Sequence, residues 1–392
     1  MLQLGIATAT IGCIDLAAFF LVPAHLTRGF SSYRTSSPPL VNEDGGLEAP
    51  APKDDYHVAH PMRGFDIGPN RRGVHSLETV RYPIWSNRFG CFDRDWEAIP
   101  KGYVYFAGDS FTWGYAPFDG TFPSLFEAQT GQPSLKCGVT HTGPAHQFDK
   151  FREIVRAVGH HPARVIVGFF TNDIANDYAH PHSTVIDGST VDTVYLDRRY
   201  RKVHVDREWI DRQLAIVSKQ APLPPSNTAP TLVDRIKGAV AYYSLTAQIP
   251  RYAYHAVRRN LYGDAMYNGQ PVYKLYSLMG TYARGNELYF DSNPFAEKTR
   301  DVFRAWQEHS RRHNYALSVV LIPERSRWGQ PSWFAEVRRF LDALGIEYLD
   351  LAALGGAPPA EDMYWPRDGH LSPAGHGFVA AELSRRWGGA GR

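Results

Sequence analysis

Apolar and polar positions follow two different patterns along the chain beyond about residue 100. Short runs of apolar residues are separated by longer segments in which apolar residues recur at helical spacing. The short runs predict buried strands, and the longer segments predict amphipathic helices. The predicted strands are residues 103–107, 135–139, 164–170, 317–322 and a short strand near 347–349.

Helices are predicted between these strands at residues 122–130, 146–158, 296–313 and 332–344. Thr121 is the expected N-cap of the first of them, and Gly131 ends it. A last helix is predicted to begin at Ser372 as N-cap and Pro373 as first helical residue. Strands that alternate with helices in this way indicate a parallel sheet covered by helices.

The segment from about residue 178 to 290 interrupts the alternation. Residues 221–230 are rich in turn-forming residues, and Thr231 with Asp234 forms a capping box for a following helix. We interpret this segment as a large insertion after the third strand, at one edge of the sheet. Residues 57–392 are therefore expected to form a single domain that contains the insertion.

The N-terminal 26 residues contain an almost wholly apolar stretch, residues 2–24, which is long enough to cross a bilayer. Asp15 lies near its centre, and neither Lys nor Arg precedes it, unlike in an ordinary signal peptide. We expect a membrane anchor or export signal, which would place the catalytic domain outside the cytoplasm, in the periplasm. The alternative is a buried helix of a cytoplasmic protein. Residues 27–56, rich in Ser, Pro and Gly, are predicted to be a linker.

Charge and composition bear on which partners the protein can bind. The net charge is +2, and Lys and Arg form no block, which argues against a nucleic-acid partner. The 22 Tyr residues suit a surface that stacks on sugars, but packed cores use Tyr as freely.

Cysteines and histidines are the candidate cross-links and metal ligands of this chain. Cys13, Cys91 and Cys137 are an odd, small number, which argues against a disulfide framework. Cys137 lies in an apolar run and is interpreted as a small buried residue, while a Cys91–Cys137 bridge remains the alternative. The histidines at 160–161, 180 and 182 lie in Pro-containing segments without i, i+4 spacing. We therefore expect neither a metal nor a cofactor.

The clearest chemical signal is the segment YVYFAGDSFTWG at residues 103–114. A predicted strand ends there in Gly108-Asp109-Ser110, and ligands of such sheets gather beyond the carboxyl ends of the strands. A serine at this point has an exposed hydroxyl, and its own backbone N–H can face an oxyanion. In isolation, the tripeptide is also typical of an ordinary strand-to-helix turn.

A second signal, YWPRDGHLSPAGH at residues 364–376, favours a catalytic serine over an ordinary turn. Asp368 and His370 lie in the loop just before the last helix, where the carboxylate can hold one ring nitrogen. The other nitrogen can then face Ser110 and accept its proton, as in a Ser-His-Asp triad. We predict Ser110 as nucleophile, His370 as general base and Asp368 as the residue that orients it.

Two further residues are predicted to help to form an oxyanion hole with the N–H of Ser110. Gly138 ends the second strand and could donate its backbone N–H, and Asn172 follows the third strand and could donate from its amide. Each alone is typical of a turn. Together they converge on the edge of the sheet where Ser110 is predicted, as acyl transfer requires.

In the order Ser110, Gly138, Asn172 and His370, the chain resembles the four sequence blocks of the SGNH (GDSL-like) hydrolases. Residues 85–96 (WSNRFGCFDRDW) also resemble the stretch that precedes the Gly-Asp-Ser block in larger bacterial members. The resemblance covers about residues 100–390 and implies a flavodoxin-like three-layer α/β/α sandwich. Those members are often exported or membrane-tethered and act on acyl groups of carbohydrates or lipids.

The chain departs from the family pattern at two positions. Phe170 stands where the third block has Gly, and its ring is expected to reshape the pocket floor or restrict the acyl group. Asp368 precedes His370 by two residues, whereas the family has Asp-x-x-His, so both a triad and a Ser–His dyad remain open. Thr112 replaces the second Gly of the Gly-x-Ser-x-Gly elbow, which argues against an α/β-hydrolase.

These residues lead to one principal function and two alternatives. The principal one is a serine-dependent ester hydrolase whose substrate is an acylated small molecule or carbohydrate, with O-acetyl as a candidate acyl group. A carbohydrate O-acyltransferase would use the same residues. The third is an inactive protein that binds a glycan or a partner.

Overall fold

The computed structural model describes residues 56–77, 80–186, 189–219, 263–366 and 368–389. The apolar stretch 2–24, the linker up to residue 55, the turn-rich residues 221–230 and the helix predicted after Thr231 lie outside the described residues. Within the described ranges, no helix is both long enough and apolar enough to cross a membrane.

The described residues form 17 strands and nine α-helices, and the strands of the central sheet are separated by helices. The strands are β1 (His57–His60), β2 (Gly64–Ile67), β3 (Arg72–Leu77), β4 (Val80–Trp85), β5 (Val104–Gly108), β6 (Ser134–Gly138), β7 (Arg164–Phe170), β8 (Ser183–Ile186), β9 (Ser189–Asp192), β10 (Val194–Leu196), β11 (Lys202–His204), β12 (Ala265–Tyr267), β13 (Gln270–Val272), β14 (Ala283–Arg284), β15 (Glu287–Leu288), β16 (Ala316–Ile322) and β17 (Glu347–Asp350). The helices are α1 (Ser110–Trp113), α2 (Phe122–Thr130), α3 (Pro144–Val158), α4 (Asp173–Ala179), α5 (Arg207–Lys219), α6 (Glu297–His313), α7 (Ala335–Leu344), α8 (Ala360–Met363) and α9 (Pro373–Trp387).

Five strands form one parallel sheet in the order β6-β5-β7-β16-β17. Numbered by their sequence along the chain, these strands have the order 2-1-3-4-5, which is that of flavodoxin-like folds. The predicted α/β fold is therefore confirmed. The strand order reverses between β5 and β7, and the carboxyl ends of these two strands are where such sheets bind ligands.

Helices cover both faces of the sheet because alternate residues of each strand point to opposite faces. On one face, the Phe106 ring lies 5.9 Å from that of Phe122 and 5.5 Å from that of Phe126, both in α2. Helix α9 packs against α2 on the same face. On the other face, the Tyr105 ring lies 5.1 Å from that of Phe151 in α3, which packs against α6.

The observed bounds agree closely with those predicted from the sequence pattern. Helix α2 has the predicted limits, and Gly131 ends it in the left-handed conformation with φ of 71°. Helix α3 begins two residues earlier than predicted, at Pro144, because proline fits the first turn of a helix. Helix α7 begins later, at Ala335, after a turn closed by a hydrogen bond to the Ser332 carbonyl. The Ser372 side chain caps α9 as predicted by accepting from the Gly375 N–H at 3.1 Å.

Two antiparallel hairpins precede the sheet and are not predicted by the sequence pattern. Strand β1 pairs with β2, and β3 pairs with β4. Polar residues, Gly or Pro interrupt the apolar runs of these four strands, so they lack the continuous apolar pattern that marks a buried strand. Their buried side chains, including Phe65, Tyr82 and Ile84, pack with Trp113 of α1 and Val139. The hairpins thus support the segment that carries Ser110.

The chain divides into two compact units. The larger unit, residues 51–210 and 274–392, holds the parallel sheet, and between β7 and β16 it contains the hairpins β8–β9, β10–β11 and β14–β15. The described residues of the smaller unit are 211–219 and 263–273, and they include the hairpin β12–β13.

A disulfide joins Cys91 to Cys137, with their Cα atoms 4.6 Å apart. The expectation of unpaired cysteines is wrong for this pair, because the segment before β5 runs along the edge strand β6. Asn87 holds that segment by accepting from the Cys91 N–H at 3.1 Å. Asp93 holds it to the strand itself by accepting from the Lys136 N–H at 2.8 Å.

Candidate active site

Ser110 lies at the carboxyl end of β5, as the first residue of the short helix α1. The turn before it needs Gly108, whose φ is 152°, and a Cβ there would lie 2.0 Å from Thr112 Oγ1. Thr112 in turn donates its hydroxyl to the Ala107 carbonyl at 3.2 Å. The chain therefore reverses tightly at Gly108 and presents the Ser110 hydroxyl beyond the edge of the sheet.

Asp109 fixes the start of α1. Its side chain is fully buried and accepts from the Phe111 N–H at 2.9 Å, and its Oδ2 lies 3.3 Å from Ser110 Oγ. Burial raises the pKa of Asp109 to about 6, although these hydrogen bonds and the nearby His370 act in the opposite direction. Asp109 thus acts as a buried cap that holds the serine in place.

The loop that carries Asp368 and His370 is closed at its base. Tyr364 pairs with Leu371, and the Trp365 N–H donates to the His370 carbonyl at 2.9 Å. The Trp365 indole N–H donates to the Tyr115 carbonyl at 3.0 Å, which ties this loop to the segment after α1. This hydrogen bond holds together two segments that are 250 residues apart in the sequence, so the loop presents its side chains to α1.

Ser110, His370 and Asp368 form a continuous hydrogen-bonded row. His370 Nε2 lies 2.8 Å from Ser110 Oγ, and His370 Nδ1 is hydrogen bonded to Asp368 Oδ1. Because a carboxylate only accepts, Nδ1 carries the proton, and Nε2 is free to accept from the serine hydroxyl. Asp368 also accepts from the His370 backbone N–H at 2.9 Å, so the two-residue spacing lets one carboxylate hold both backbone and ring.

The charge of Asp368 is stabilised by the residue that it orients. Burial alone would raise the pKa of Asp368, but the hydrogen bonds and charge of His370 outweigh it and hold the pKa below its usual value. The carboxylate is therefore ionised at neutral pH. An ionised Asp368 favours the imidazolium that forms when His370 accepts a proton.

Aromatic side chains enclose the His370 ring on two sides. The ring centroid of Tyr115 lies 4.3 Å away and that of Phe111 4.9 Å away. Phe111 also packs against Phe170, at 4.4 Å between ring centroids. Phe170, Phe111 and His370 thus form a row of rings beside Ser110, and the expected effect of Phe170 on the acyl group stays a prediction.

Asn172 follows β7 at the carboxyl edge and precedes α4. Its side chain does not cap that helix, and its Oδ1 is buried without a hydrogen-bond partner among the described residues. Its neighbour Asp173 is fully buried, and burial, followed by the charges of Asp109 and Asp177, raises its pKa well above the usual value. The charge of Asp109, which precedes α1, is thus one of those that act on the first residue of α4.

Gly138 pairs with Gly108 across β5 and β6. A Cβ at Gly138 would lie 2.2 Å from the Trp113 backbone nitrogen, so its lack of a side chain makes room for α1. The next N–H along the strand, that of Val139, donates to the Gly108 carbonyl. Because N–H groups alternate in direction, the Gly138 N–H points away from β5. This geometry favours a steric role, and the predicted donor role stays a prediction.

Gly143 is a further candidate donor to the oxyanion hole, and the sequence analysis missed it. It precedes α3, and a Cβ on it would lie 2.6 Å from the Asp173 carbonyl and 2.5 Å from Asp177 Oδ1. It therefore lies against the helix that follows Asn172, at the carboxyl edge of the sheet. The signal in the sequence was its position in Gly143-Pro144, since proline favours the first turn of a helix.

No protein-family model and no curated protein sequence matches the chain. Solved structures similar to the chain include a protein assigned to the G-D-S-L family of lipolytic proteins from Desulfitobacterium hafniense, 12% identical, with a TM-score of 0.35, covering 73% of this chain and 99% of that one. Another is a catalytic mutant of an acetylxylan esterase from Geobacillus stearothermophilus, 12% identical, with a TM-score of 0.32, covering 73% of this chain and 94% of that one.

Proposed function

We propose that this protein is a serine-dependent ester hydrolase. The observation that carries the proposal is the 2.8 Å contact between Ser110 Oγ and His370 Nε2, with Asp368 on the opposite ring nitrogen. A serine hydroxyl is a weak nucleophile until an adjacent base removes its proton. An oriented imidazole at hydrogen-bond distance is such a base.

The reaction would proceed through an acyl-enzyme. Ser110 Oγ attacks the ester carbonyl as its proton passes to His370 Nε2, and Asp368 stabilises the imidazolium. The tetrahedral intermediate collapses, and His370 returns the proton to the leaving alcohol. Water then attacks the acyl-enzyme with His370 again as base, which releases the acid and restores the Ser110 hydroxyl.

The oxyanion of each intermediate needs donors at the carboxyl edge of the sheet. We assign this role to the Asn172 amide and the Ser110 N–H, together with a glycine N–H. Gly138 was the glycine that the sequence indicated, and Gly143 fits the position beside Asn172 better. One such donor is worth about 2.7–4 kcal/mol of transition-state stabilisation.

A short acyl group, such as acetyl on a carbohydrate, suits the site best. The Phe170 ring packs on Phe111, and Phe111 packs on His370, which leaves restricted space beside Ser110. The half-buried Tyr115 ring beside His370 offers an aromatic group that suits a sugar ring. The alcohol side of the ester could then remain large while the acyl side stays small.

A fluorophosphonate probe tests the nucleophile directly, because it reacts only with an activated serine. We expect the full-length chain to be labelled and Ser110→Ala to lose the label. Ser326→Ala removes an exposed serine that follows β16 and is the matched control. Label retained in Ser110→Ala would refute the proposal.

Acetylated polysaccharide, supplied with and without an unacetylated glycan, tests the reaction. Release of acetate that does not depend on the added glycan supports hydrolysis. Transfer of acetyl to the glycan in preference to water would identify the acyltransferase alternative, which uses the same residues. A protein that binds the glycan but does neither would be the inactive binding protein.

We also propose that the catalytic domain works outside the cytoplasm. The support is the Cys91–Cys137 disulfide, since disulfides persist in oxidising compartments such as the periplasm. The apolar residues 2–24 would supply the anchor or export signal. Cell fractionation should find the full-length chain with membranes or in the periplasm, and a cytosolic protein with reduced cysteines would contradict this.

A further inference from the structure

Three histidines meet at the amino edge of the sheet, at the opposite end of β7 from Ser110. His161 lies between α3 and β7, and His309 and His313 lie in the last two turns of α6, just before β16. Strands β7 and β16 are neighbours, with Arg164 paired with Ala316. The two chain segments that enter the middle of the sheet therefore bring these histidines together.

The three imidazoles are close enough to share one ion. One ring nitrogen of each lies within 4.8 Å of one ring nitrogen of each of the others. The His313 ring centroid lies 4.2 Å from that of His161 and 4.3 Å from that of His309. His309 and His313 have the i, i+4 spacing that places two side chains on the same face of a helix. The i, i+4 spacing that histidines 160, 161, 180 and 182 lack is therefore present in His309 and His313 of α6.

The His309 ring is oriented by a second residue. Its Nδ1 lies 3.0 Å from the hydroxyl of Tyr315, a buried residue at the start of β16. When Nδ1 donates to that hydroxyl, Nε2 is left with a free lone pair. Metal-binding histidines are commonly oriented through their second nitrogen in this way.

Charges around the cluster are compatible with a bound cation. Arg152 and Arg312 are the nearby cations, and each is paired with a carboxylate, Arg152 with Asp149 at 3.4 Å and Arg312 with Glu308 at 2.5 Å. The cluster lies at the C-terminal end of α6, where the helix dipole favours positive charge. The three ligands are all nitrogen, which suits zinc, nickel or copper and disfavours magnesium and calcium.

We propose that His161, His309 and His313 form a binding site for one divalent transition-metal ion of the zinc class. Three protein ligands leave a fourth coordination position for water, so the site is open and the ion can exchange. Because the cluster joins the starts of β7 and β16, the ion would stabilise the sheet. It takes no part in the chemistry at the opposite edge, and the proposal is independent of the proposed function.

Binding requires a small rearrangement. Nitrogen ligands of a tetrahedral zinc ion lie about 3.3 Å apart, given zinc–nitrogen distances of about 2.0–2.1 Å. The His161 and His313 rings are now stacked, at 16° between their planes, so their lone pairs do not converge. His313 is exposed at the end of α6 and is free to rotate without disturbing the core.

Zinc binding to the full-length chain, purified without a histidine tag, tests the site. Equilibrium dialysis should give one more bound Zn²⁺ per chain for the wild type than for His313→Ala, and Zn²⁺ should raise the unfolding temperature of the wild type only. His313 is exposed, so its replacement should leave the fold intact. Tyr315→Phe keeps the ring but frees His309, and it should weaken zinc binding about 10- to 100-fold.

The matched control is His204→Ala, which removes an exposed histidine on β11 outside the cluster. It should retain wild-type zinc stoichiometry and the wild-type thermal shift. Equal zinc binding by the wild type and His313→Ala would overturn the proposal. So would a loss of zinc in His204→Ala as large as that in His313→Ala.

Discussion

Gly108 and Gly138 face each other across β5 and β6, and the first turn of α1 lies directly against both of them. A Cβ on Gly108 would meet Thr112 Oγ1 at 2.0 Å, and one on Gly138 would meet the Trp113 nitrogen at 2.2 Å. The helix that begins with Ser110 can approach the sheet only because both positions lack a side chain. The position of the serine hydroxyl is therefore set by two glycines that need not touch a substrate.

Gly138→Ala should displace α1 and reduce activity without changing any side chain of the proposed triad. The added methyl group must push against backbone, which does not yield as a flexible side chain would. We expect a loss of about 1–3 kcal/mol in the free energy of unfolding. Urea unfolding and fluorophosphonate labelling rates are the measurements.

Gly377→Ala, in the middle of α9, is the matched control for this substitution. A Cβ there meets no atom within 4 Å. Because alanine favours a helix over glycine, stability should rise by up to about 1 kcal/mol. Equal behaviour of the two variants would argue against the steric role of Gly138.

His370→Ala and Asp368→Asn separate a triad from a dyad. His370→Ala should abolish turnover about as fully as Ser110→Ala, because members of such a unit act together. Asp368 Oδ1 holds both the ring and the backbone of His370, so Asp368→Asn should lower kcat by about 10⁴-fold. Asp362→Asn, at an exposed position in α8, is the control. If Asp368→Asn stays within about tenfold of wild type, far less than a triad carboxylate costs, the site is a dyad.

The sequence predicts the parts of this molecule that depend on local pattern and on one rule of parallel sheets. Ser110 and Asn172 follow predicted strands, His370 precedes a predicted helix, and carboxyl ends of parallel strands share an edge. That rule predicts Ser110 and Asn172 at the same edge of the sheet without any knowledge of distances, and the structure adds the contact between Ser110 and His370.

Other features depend on contacts that no local pattern encodes. The disulfide joins residues separated by 46 positions: Cys91 lies in residues 87–93, a strap before β5, and Cys137 lies in the edge strand β6. The histidine cluster joins His161 to His309 and His313, which share no motif with it. Tyr115 can be identified as a residue of the site only from the position of its ring beside His370. Whether Gly138 acts as a hydrogen-bond donor or only makes room for α1 depends on the direction of its N–H.

Phe170→Ala should widen the range of acyl groups that the enzyme accepts. Removing the ring opens space beside Phe111, so kcat/KM for longer p-nitrophenyl esters should rise relative to kcat/KM for the acetate. Each methylene that finds a new apolar contact is worth about 1–3 kcal/mol, or roughly 10- to 200-fold in kcat/KM. Phe378→Ala, which removes a half-buried ring from α9, should lose stability without this change in preference. An unchanged ratio between acetate and longer esters would show that Phe170 does not line the acyl site.

Asp109→Asn should change how stability depends on pH. Asp109 has its pKa raised by burial from 3.8 to about 6, so the folded state retains a proton that the unfolded state releases between these values. The wild type therefore loses stability as pH rises through this window, by up to about 3 kcal/mol. Asparagine does not titrate, so the stability of the variant relative to the wild type should rise between about pH 4 and pH 6. Above about pH 6 that difference in stability should stay constant. Urea midpoints across this range are the measurement, and a difference that does not vary with pH would contradict the buried, protonated carboxyl.

The last prediction concerns the Cys91–Cys137 disulfide, which fixes the strap before β5 to the edge strand that ends at Gly138. A cross-link stabilises mainly by restricting the unfolded chain, and its effect grows with the length of the closed loop. For a separation of 46 residues, the chain-entropy relation gives about 4 kcal/mol. A reducing agent should therefore lower the urea midpoint of unfolding, and the Cys91→Ser, Cys137→Ser double variant should start from the lower value and not respond. Alkylation of unfolded, unreduced protein should modify Cys13 alone. Modification of all three cysteines in protein recovered from the periplasm, or a midpoint indifferent to reduction, would contradict both the cross-link and the compartment inferred from it.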